Sequence, residues 1–174
     1  MAQLFAYFSR AGENYYSGTL KTVSVGNTEV AAKTLQTITG ADLFQIDPLL
    51  PYSNDYNQCI AQAQADQKRN ARPELKRYPD SLESYDTIYL GYPNYWGTMP
   101  MPVFTFLEHF DFTGHTIYPF CTHEGSGMGR SEEDIRRLCP GAKVEKGLAL
   151  HGGSVKDGES LLRKWAEIEK EPSK

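Results

Sequence analysis

Residues 91–100, Gly-Tyr-Pro-Asn-Tyr-Trp-Gly-Thr-Met-Pro, join a short apolar run to an amphipathic segment. The apolar run, residues 87–90, has the length and composition of a buried strand. The amphipathic segment, residues 101–109, places its apolar side chains on one helical face. The stretch is therefore predicted to form a loop between a strand and a helix. In an open α/β sheet such a loop lies at the carboxyl ends of the strands, where ligands bind.

Two large aromatic side chains, Tyr95 and Trp96, stand in the middle of this loop. Both offer flat faces on which a planar ring could stack. Trp96 could instead pack only against the neighbouring helix. The loop by itself does not favour one of these interpretations over the other.

The rest of the chain alternates predicted strands with predicted helices, which is typical of a parallel sheet with helices on both faces. Strands are predicted at 3–8, 42–46, 84–92, 115–121 and 143–150, and helices at 26–39, 54–70, 101–109, 131–138 and 161–168. The helix at 54–70 is polar, and a disordered lid is the alternative for that segment. We predict one doubly wound α/β domain over residues 1–170, with a five-stranded parallel sheet of order 2-1-3-4-5 and a frayed tail at 171–174.

Composition narrows the possible functions. The 174 residues carry 18 basic and 22 acidic side chains, a formal net charge of −4, which argues against a general nucleic-acid binder. No stretch of 18 apolar residues occurs, so no membrane span is predicted. The cysteines Cys59, Cys121 and Cys139 are too far apart to indicate a disulfide framework or a zinc site. A reduced, cytoplasmic protein is the simplest expectation.

The loop after the first strand and the helix that follows it have groups suited to an anion. Ser9 and Thr28 offer hydroxyls, Asn27 offers an amide, and the first N–H groups of the helix point the same way. Asn27 or Thr28 could instead only cap the helix. Arg10 could supply a positive charge or point to solvent.

The loop after the fourth strand is rich in glycine, at Gly125, Gly127 and Gly129. These glycines would let a ligand approach the backbone closely, or they could serve only a tight turn. The order 2-1-3-4-5 brings this loop, the first loop and residues 91–100 around one crevice. A phosphate at the first loop and a planar ring between the other two would fit, and flavin mononucleotide (FMN) has that shape. The sequence lacks the Gly-Lys-Ser/Thr of a P-loop and the Gly-x-Gly-x-x-Gly of a dinucleotide fold.

Three motifs in this order resemble the flavodoxin-like family, and most closely its bacterial single-domain flavodoxins. They are Ser-x-x-Gly followed by Gly-Asn-Thr-Glu, the loop at 91–100, and Phe-Cys-Thr-His-Glu-Gly-Ser-Gly at 120–127. The resemblance covers residues 4–165. It implies a flavodoxin-like fold and a non-covalently bound FMN.

The resemblance also implies which residues hold the cofactor. The first loop would bind the phosphate, the loop after the third strand would wrap the isoalloxazine, and the loop after the fourth strand would cover the pyrimidine side. The matching residues are Ser9, Ala11, Asn14, Asn27 and Thr28, then Pro93, Asn94, Tyr95, Trp96 and Gly97, and finally Thr122, His123, Glu124, Gly125 and Gly127.

Two departures from the family pattern bear on function. Residues 15–25 lengthen the phosphate loop and would either loop outward or cover the phosphate. The loop after the fourth strand also lacks the tyrosine that many flavodoxins stack on the outer flavin face. One flavin face is therefore expected to be more open.

The redox chemistry would belong to the flavin, so no catalytic side chain and no metal ligand is predicted. Acidic residues are expected near the rim of the crevice, where negative charge would oppose the addition of electrons to the ring. These residues are Glu124, Glu132, Glu133 and Asp134.

Two redox functions fit these features. The first is an electron carrier that docks on a redox partner protein, favoured by the small size and the lack of a nicotinamide motif. The second is an NAD(P)H-dependent FMN reductase of flavins or small quinone-like acceptors, favoured by the open flavin face. A monomer or weak homodimer is expected in either case.

Two non-redox functions are compatible with the same fold class. A phosphoacceptor receiver domain is excluded, because Ser9-Arg10 and Tyr92-Pro93 stand where its acidic residues would be needed. The other is an interaction module that uses the fold only as a scaffold, and it predicts no affinity for flavin.

Overall fold

The computed structural model describes residues 2–16 and 18–170. Its strands are β1 (Ala2–Tyr7), β2 (Gly12–Tyr16), β3 (Thr19–Val23), β4 (Asp42–Gln45), β5 (Tyr85–Pro93), β6 (Thr116–His123), β7 (Lys143–Val144) and β8 (Leu148–His151). Its helices are α1 (Asn27–Thr39), α2 (Tyr56–Lys68), α3 (Met101–His109), α4 (Ser131–Leu138) and α5 (Glu159–Lys170), with a 3₁₀ segment at Gly152–Asp157. The predicted tail at 171–174 lies outside the described residues.

A parallel sheet forms the centre of the molecule, in the order β4-β1-β5-β6-β7, and β8 also pairs with β6. This confirms the predicted order 2-1-3-4-5, with the fifth strand split into β7 and β8. The predicted continuous strand over 143–150 is wrong, because pairing with β6 stops after the Glu145 N–H, which donates to the Ile117 carbonyl at 2.9 Å, and resumes only at Leu148. There the N–H of Gly147 donates to the Glu132 carboxylate at 3.0 Å. Close approach of Met128 and of Pro119 leaves no room for a side chain at Gly147.

Hydrophobic cores lie on the two faces of this sheet, as the prediction of helices on both faces requires. Leu4 and Ala6 of β1 belong to one core, together with the apolar side chains of α3 and α4. The alternate residue Phe5 belongs to the other core, with the apolar side chains of α1 and α5. Strands covered on both faces read as continuous apolar runs, which is why β1 and β5 are recognisable in the sequence.

Part of the segment 15–25 forms a hairpin instead of an irregular loop. Strands β2 and β3 pair antiparallel as a separate small sheet. The hairpin is tied to the residues before α2, since the Glu13 N–H donates to the Asn54 carbonyl at 3.0 Å. The sequence did not predict these strands, because the segment is polar and lacks a clear apolar alternation.

Helix α2 confirms the predicted polar helix, and a disordered segment at this position is excluded. The Asp55 carboxylate caps it by accepting from the Gln58 N–H at 2.8 Å. Among its side chains only Cys59 and Ala63 are buried. None of the described helices is long and apolar enough to cross a membrane.

Candidate functional site

A cavity of about 380 Å³ opens at the carboxyl edge of the parallel sheet, under helix α2. Of the fifteen predicted site residues, twelve line it: Ser9, Asn14, Asn27, Thr28, Pro93, Asn94, Tyr95, Trp96, Gly97, Thr122, His123 and Glu124. Three loops that are distant in sequence therefore meet at one place, as parallel topology requires.

The other three predicted residues, Ala11, Gly125 and Gly127, do not line the cavity. Ala11 is exposed at the start of the hairpin. Gly125 and Gly127 have φ angles of 122° and 65°, and no atom lies near enough to either to obstruct a side chain. Their backbone conformation, rather than space for a ligand, accounts for these two glycines.

Further lining residues were not predicted as site residues. They are Arg10, Tyr56, Cys59, Ile60, Ala63, Ser126 and Gly152. The four from helix α2 share one helical face, and the spacing of Tyr56, Ile60 and Ala63 is visible in the sequence. Nothing in that spacing indicates that the face covers a cavity instead of packing on the sheet.

The start of helix α1 is capped from another segment. The Ser9 hydroxyl accepts a hydrogen bond from the Glu29 N–H at 3.0 Å. The N-cap residue of α1 is Gly26, which has no side chain that could cap the helix. Neither Asn27 nor Thr28 is therefore the capping residue. A side chain at Gly26 would overlap the Ser9 hydroxyl and the Arg10 carbonyl. The helix terminus thereby comes close to the first loop, with Asn27 and Thr28 on the cavity wall.

Arg10 points neither to open solvent nor straight into the cavity. Its guanidinium donates to the carbonyls of Ser53, at 3.0 and 2.8 Å, and Asn54, at 2.8 Å. It also donates to the Glu13 carbonyl and to the side-chain oxygen of Asn14, the latter at 2.8 Å. All five N–H donors of an arginine are used in this way. Arg10 thus joins the first loop, the hairpin and the approach to α2.

The loop after β5 is a tight two-residue turn. The N–H of Tyr95 donates to the Thr98 carbonyl at 2.8 Å, and the reverse bond measures 3.3 Å. Trp96 and Gly97 between them have φ angles of 55° and 88°, close to those of a type I′ turn. A tryptophan in this left-handed region is uncommon and needs support from its surroundings.

Helix α2 provides that support. The Trp96 indole N–H donates to the Ile60 carbonyl at 2.9 Å, and the Gln67 amide donates to the Trp96 carbonyl at 3.2 Å. The Trp96 side chain stays 44% exposed, whereas the Tyr95 ring packs edge-to-face against Phe8. Both aromatic residues line the cavity, and Trp96 also holds α2 in place.

Asn94 connects the loops that follow β5 and β6. Its backbone N–H donates to the Thr122 carbonyl at 2.9 Å, and its side-chain amide donates to the Gly127 carbonyl at 2.8 Å. Its side-chain oxygen accepts from the Gly97 N–H at 2.9 Å. A second link is the 2.9 Å hydrogen bond between the buried hydroxyls of Thr28 and Thr122.

The expected acidic rim is not present as predicted. Of its four members only Glu124 lines the cavity. The Asp134 carboxylate accepts from the Thr98 hydroxyl and forms ion pairs with Arg130 and Arg137, at 3.6 and 3.3 Å. Glu132, Glu133 and Asp134 lie on α4, and the Glu132 carboxylate accepts from the Gly147 N–H at 3.0 Å.

His123 lies at the end of β6 beside other titratable groups. Its Nδ1 accepts from the Gly125 N–H at 2.9 Å, so a neutral ring carries its proton on Nε2. Burial lowers the pKa of His123, the nearby His151 lowers it further, and Glu124 opposes the shift. His151 Nε2 is in turn 3.5 Å from a Glu124 carboxylate oxygen.

We expect His123 to make the stability of the fold depend on pH. Its pKa is lower in the folded chain than the value of about 6.5 in the unfolded chain, so protonation favours unfolding. Its contribution is complete above the unfolded-state pKa and is lost as the pH falls below it. In thermal melts between about pH 7 and pH 5, His123→Asn should therefore lose less stability than the parent chain. Parallel curves for the two proteins would assign the pH dependence to other groups.

Comparison with known proteins adds a family and a fold. A family model described as flavodoxin matches residues 3–169. Among proteins with curated descriptions, none matches the chain.

Solved structures of similar proteins cover almost the whole chain. A protein from Bacteroides eggerthii DSM 20697, provisionally identified as a flavoprotein, is 27% identical with a TM-score of 0.77, over 98% of this chain and 99% of that one. A second such protein, from Bacteroides uniformis ATCC 8492, is 29% identical with a TM-score of 0.72, over 95% and 97%. A flavoprotein from Lactobacillus acidophilus NCFM, solved in complex with FMN, shares the fold at 19% identity and a TM-score of 0.63, over 91% and 98%.

Proposed function

The chain belongs to the flavodoxin family, and from this premise we propose that its cavity binds FMN and that the protein carries electrons to a redox partner protein. The observation that carries the proposal is one cavity with two chemically different ends. One end has hydroxyl, amide and helix N-terminal groups, and the other has aromatic side chains. A phosphorylated flavin needs both.

The polar end fits the phosphate of FMN. Ser9, Asn27 and Thr28 line it, and Asn27 and Thr28 are the first two residues of α1. Backbone N–H groups and the helix dipole favour a negative charge at such a terminus. Gly152 keeps the wall open, since a Cβ there would lie 2.5 Å from the Asn27 amide nitrogen and 2.8 Å from a Glu124 oxygen.

The aromatic end fits the isoalloxazine ring. Tyr95 and Trp96 border it on the turn after β5, while Ile60 and Ala63 of α2 add an apolar wall. These groups would orient the ring and exclude water from it. When bound, FMN would supply one- or two-electron redox chemistry, and the protein would tune it.

We expect Trp96→Ala to weaken FMN binding by about tenfold or more, because an aromatic stacking contact is worth about 1–3 kcal/mol. Titration of FMN with the flavin-free protein, followed by flavin fluorescence, measures the dissociation constant. Trp96→Phe should recover part of the affinity, since it restores an aromatic face without the indole N–H. Equal affinity of all three proteins would contradict the stacking role, and no FMN binding by the parent chain would overturn the proposed function.

One observation favours a second candidate, an NAD(P)H-dependent FMN reductase of small quinone-like acceptors. Such an acceptor takes up protons as well as electrons, and His123 on the cavity wall can hold a proton on Nε2. NAD(P)H oxidation by the FMN-loaded protein with and without a benzoquinone separates the two functions. Rapid quinone-dependent oxidation supports the reductase. Reduction by an electron-donor protein, without NAD(P)H oxidation, supports the carrier.

A further inference from the structure

Arg10 is a cation whose hydrogen-bonding partners carry no charge. Its donors are all used by three backbone carbonyls and the Asn14 amide oxygen. Within residues 2–16 and 18–170, the ion pairs join other side chains, and none includes Arg10. Carbonyl dipoles satisfy the donors of a guanidinium but leave its net charge in place. A partly buried charge without a counterion is stabilised when an anion binds nearby.

The charge of Arg10 acts on the cavity. Arg10 lines the cavity, as do its chain neighbour Ser9 and its hydrogen-bond partner Asn14. Burial raises the pKa of Cys59 and of Tyr95, two other wall residues, and the charge of Arg10 opposes both shifts. A negative group in the cavity would experience the same field as an attraction.

The geometry also fixes how Arg10 can act. Its bonds to Ser53 and Asn54 hold the guanidinium against the chain before α2. A direct hydrogen bond to a ligand would require giving up one of these contacts. Action at a distance, by charge alone, requires no rearrangement.

We propose that Arg10 is a specificity-determining residue that makes the cavity select phosphorylated over unphosphorylated flavin, by its charge and without a direct hydrogen bond. The inference rests on the proposed function, because it concerns the same cavity. It separates the hydroxyl, amide and backbone groups that shape the polar end from the positive charge of Arg10, which favours a phosphate, while the nearby Glu124 carboxylate opposes one. Riboflavin, which is FMN without the phosphate, is the probe that distinguishes these parts.

The experiment compares the dissociation constants of FMN and riboflavin for the parent chain, Arg10→Gln and Arg10→Lys. The parent should prefer FMN. In Arg10→Gln we expect FMN affinity to fall about tenfold more than riboflavin affinity, because both ligands share any loss from the broken hydrogen bonds but only the phosphate interacts with the lost charge. Arg10→Lys keeps the charge and should keep most of the preference for FMN.

Glu13→Gln is the matched control. Glu13 belongs to the same junction, where its carboxylate accepts from the Tyr56 N–H at 3.0 Å, and glutamine retains an acceptor. This variant alters the junction but removes a negative charge instead of a positive one. Its preference for FMN should be equal to that of the parent or greater.

Several outcomes would overturn the inference. One is an equal loss of both ligands in Arg10→Gln, which would make Arg10 purely structural. Another is equal binding of FMN and riboflavin by the parent. If Arg10→Gln does not fold, the salt dependence of the parent chain tests the inference instead. Its preference for FMN over riboflavin should decrease as salt is raised from about 0.01 to 0.5 M, because ions screen the charge of Arg10, and an unchanged preference would overturn the inference. Failure of the parent to bind either flavin would instead overturn the proposed function.

Discussion

Gly129→Ala is expected to destabilise the protein by about 3 kcal/mol or more and to abolish FMN binding at micromolar concentrations. Gly129 has a φ angle of 56°, in the left-handed region that disfavours side chains. A Cβ there would also overlap the carbonyl group of Gly97, which belongs to the turn that carries Trp96. The same carbonyl accepts from the Arg130 N–H at 2.8 Å. The clash therefore falls on backbone that cannot rotate away and displaces the aromatic end of the cavity.

Gly127→Ala is the matched control for that variant. Gly127 has a similar φ of 65°, but a Cβ there meets no atom within 4 Å. Only the backbone strain remains, which is about 1–2 kcal/mol. Urea denaturation with and without FMN measures both variants. Equal effects of the two substitutions would show that contact with Gly97 does not matter.

Ala63→Phe is expected to weaken FMN binding by about 100-fold or more while leaving the flavin-free protein folded. Ala63 is one of the two buried side chains of α2, and it faces the cavity. A benzyl group there would occupy space otherwise open to the flavin. The flavin-free protein should tolerate the change, because the added apolar surface fills a cavity instead of displacing packed side chains.

Ala61→Phe controls for the added ring. Ala61 lies on the exposed face of the same helix, two residues away. Its substitution should leave FMN affinity within about twofold of the parent, since surface changes away from a site have small effects. Isothermal titration with FMN measures both variants, and thermal melts verify folding. Unchanged affinity in Ala63→Phe would mean that this face of α2 does not border the bound flavin.

Many features of this fold and its site could be predicted because they depend on spacing along the chain. The alternation of apolar strands with amphipathic helices indicated the parallel sheet, and the bounds of α3 and α4 agree with those predicted. Parallel topology then placed the loops carrying Ser9, Trp96 and His123 at one edge without any knowledge of contacts. The strand after α4 could not be predicted as well, because its interruption involves a hydrogen bond between Glu132 and Gly147, which are 15 residues apart in the sequence.

What the sequence alone determined is thus the fold class, the edge of the sheet where the cavity lies and most of the residues that line it. What only the tertiary structure decided is how these residues are held: Ser9 caps a helix 20 residues away, and Arg10 joins segments more than 40 residues apart. Periodicity records which face of an element is apolar. It does not indicate which distant backbone groups will contact the side chains of that face or of the polar residues beside it. Those partners are selected when the elements pack, because buried donors and acceptors must then find one another.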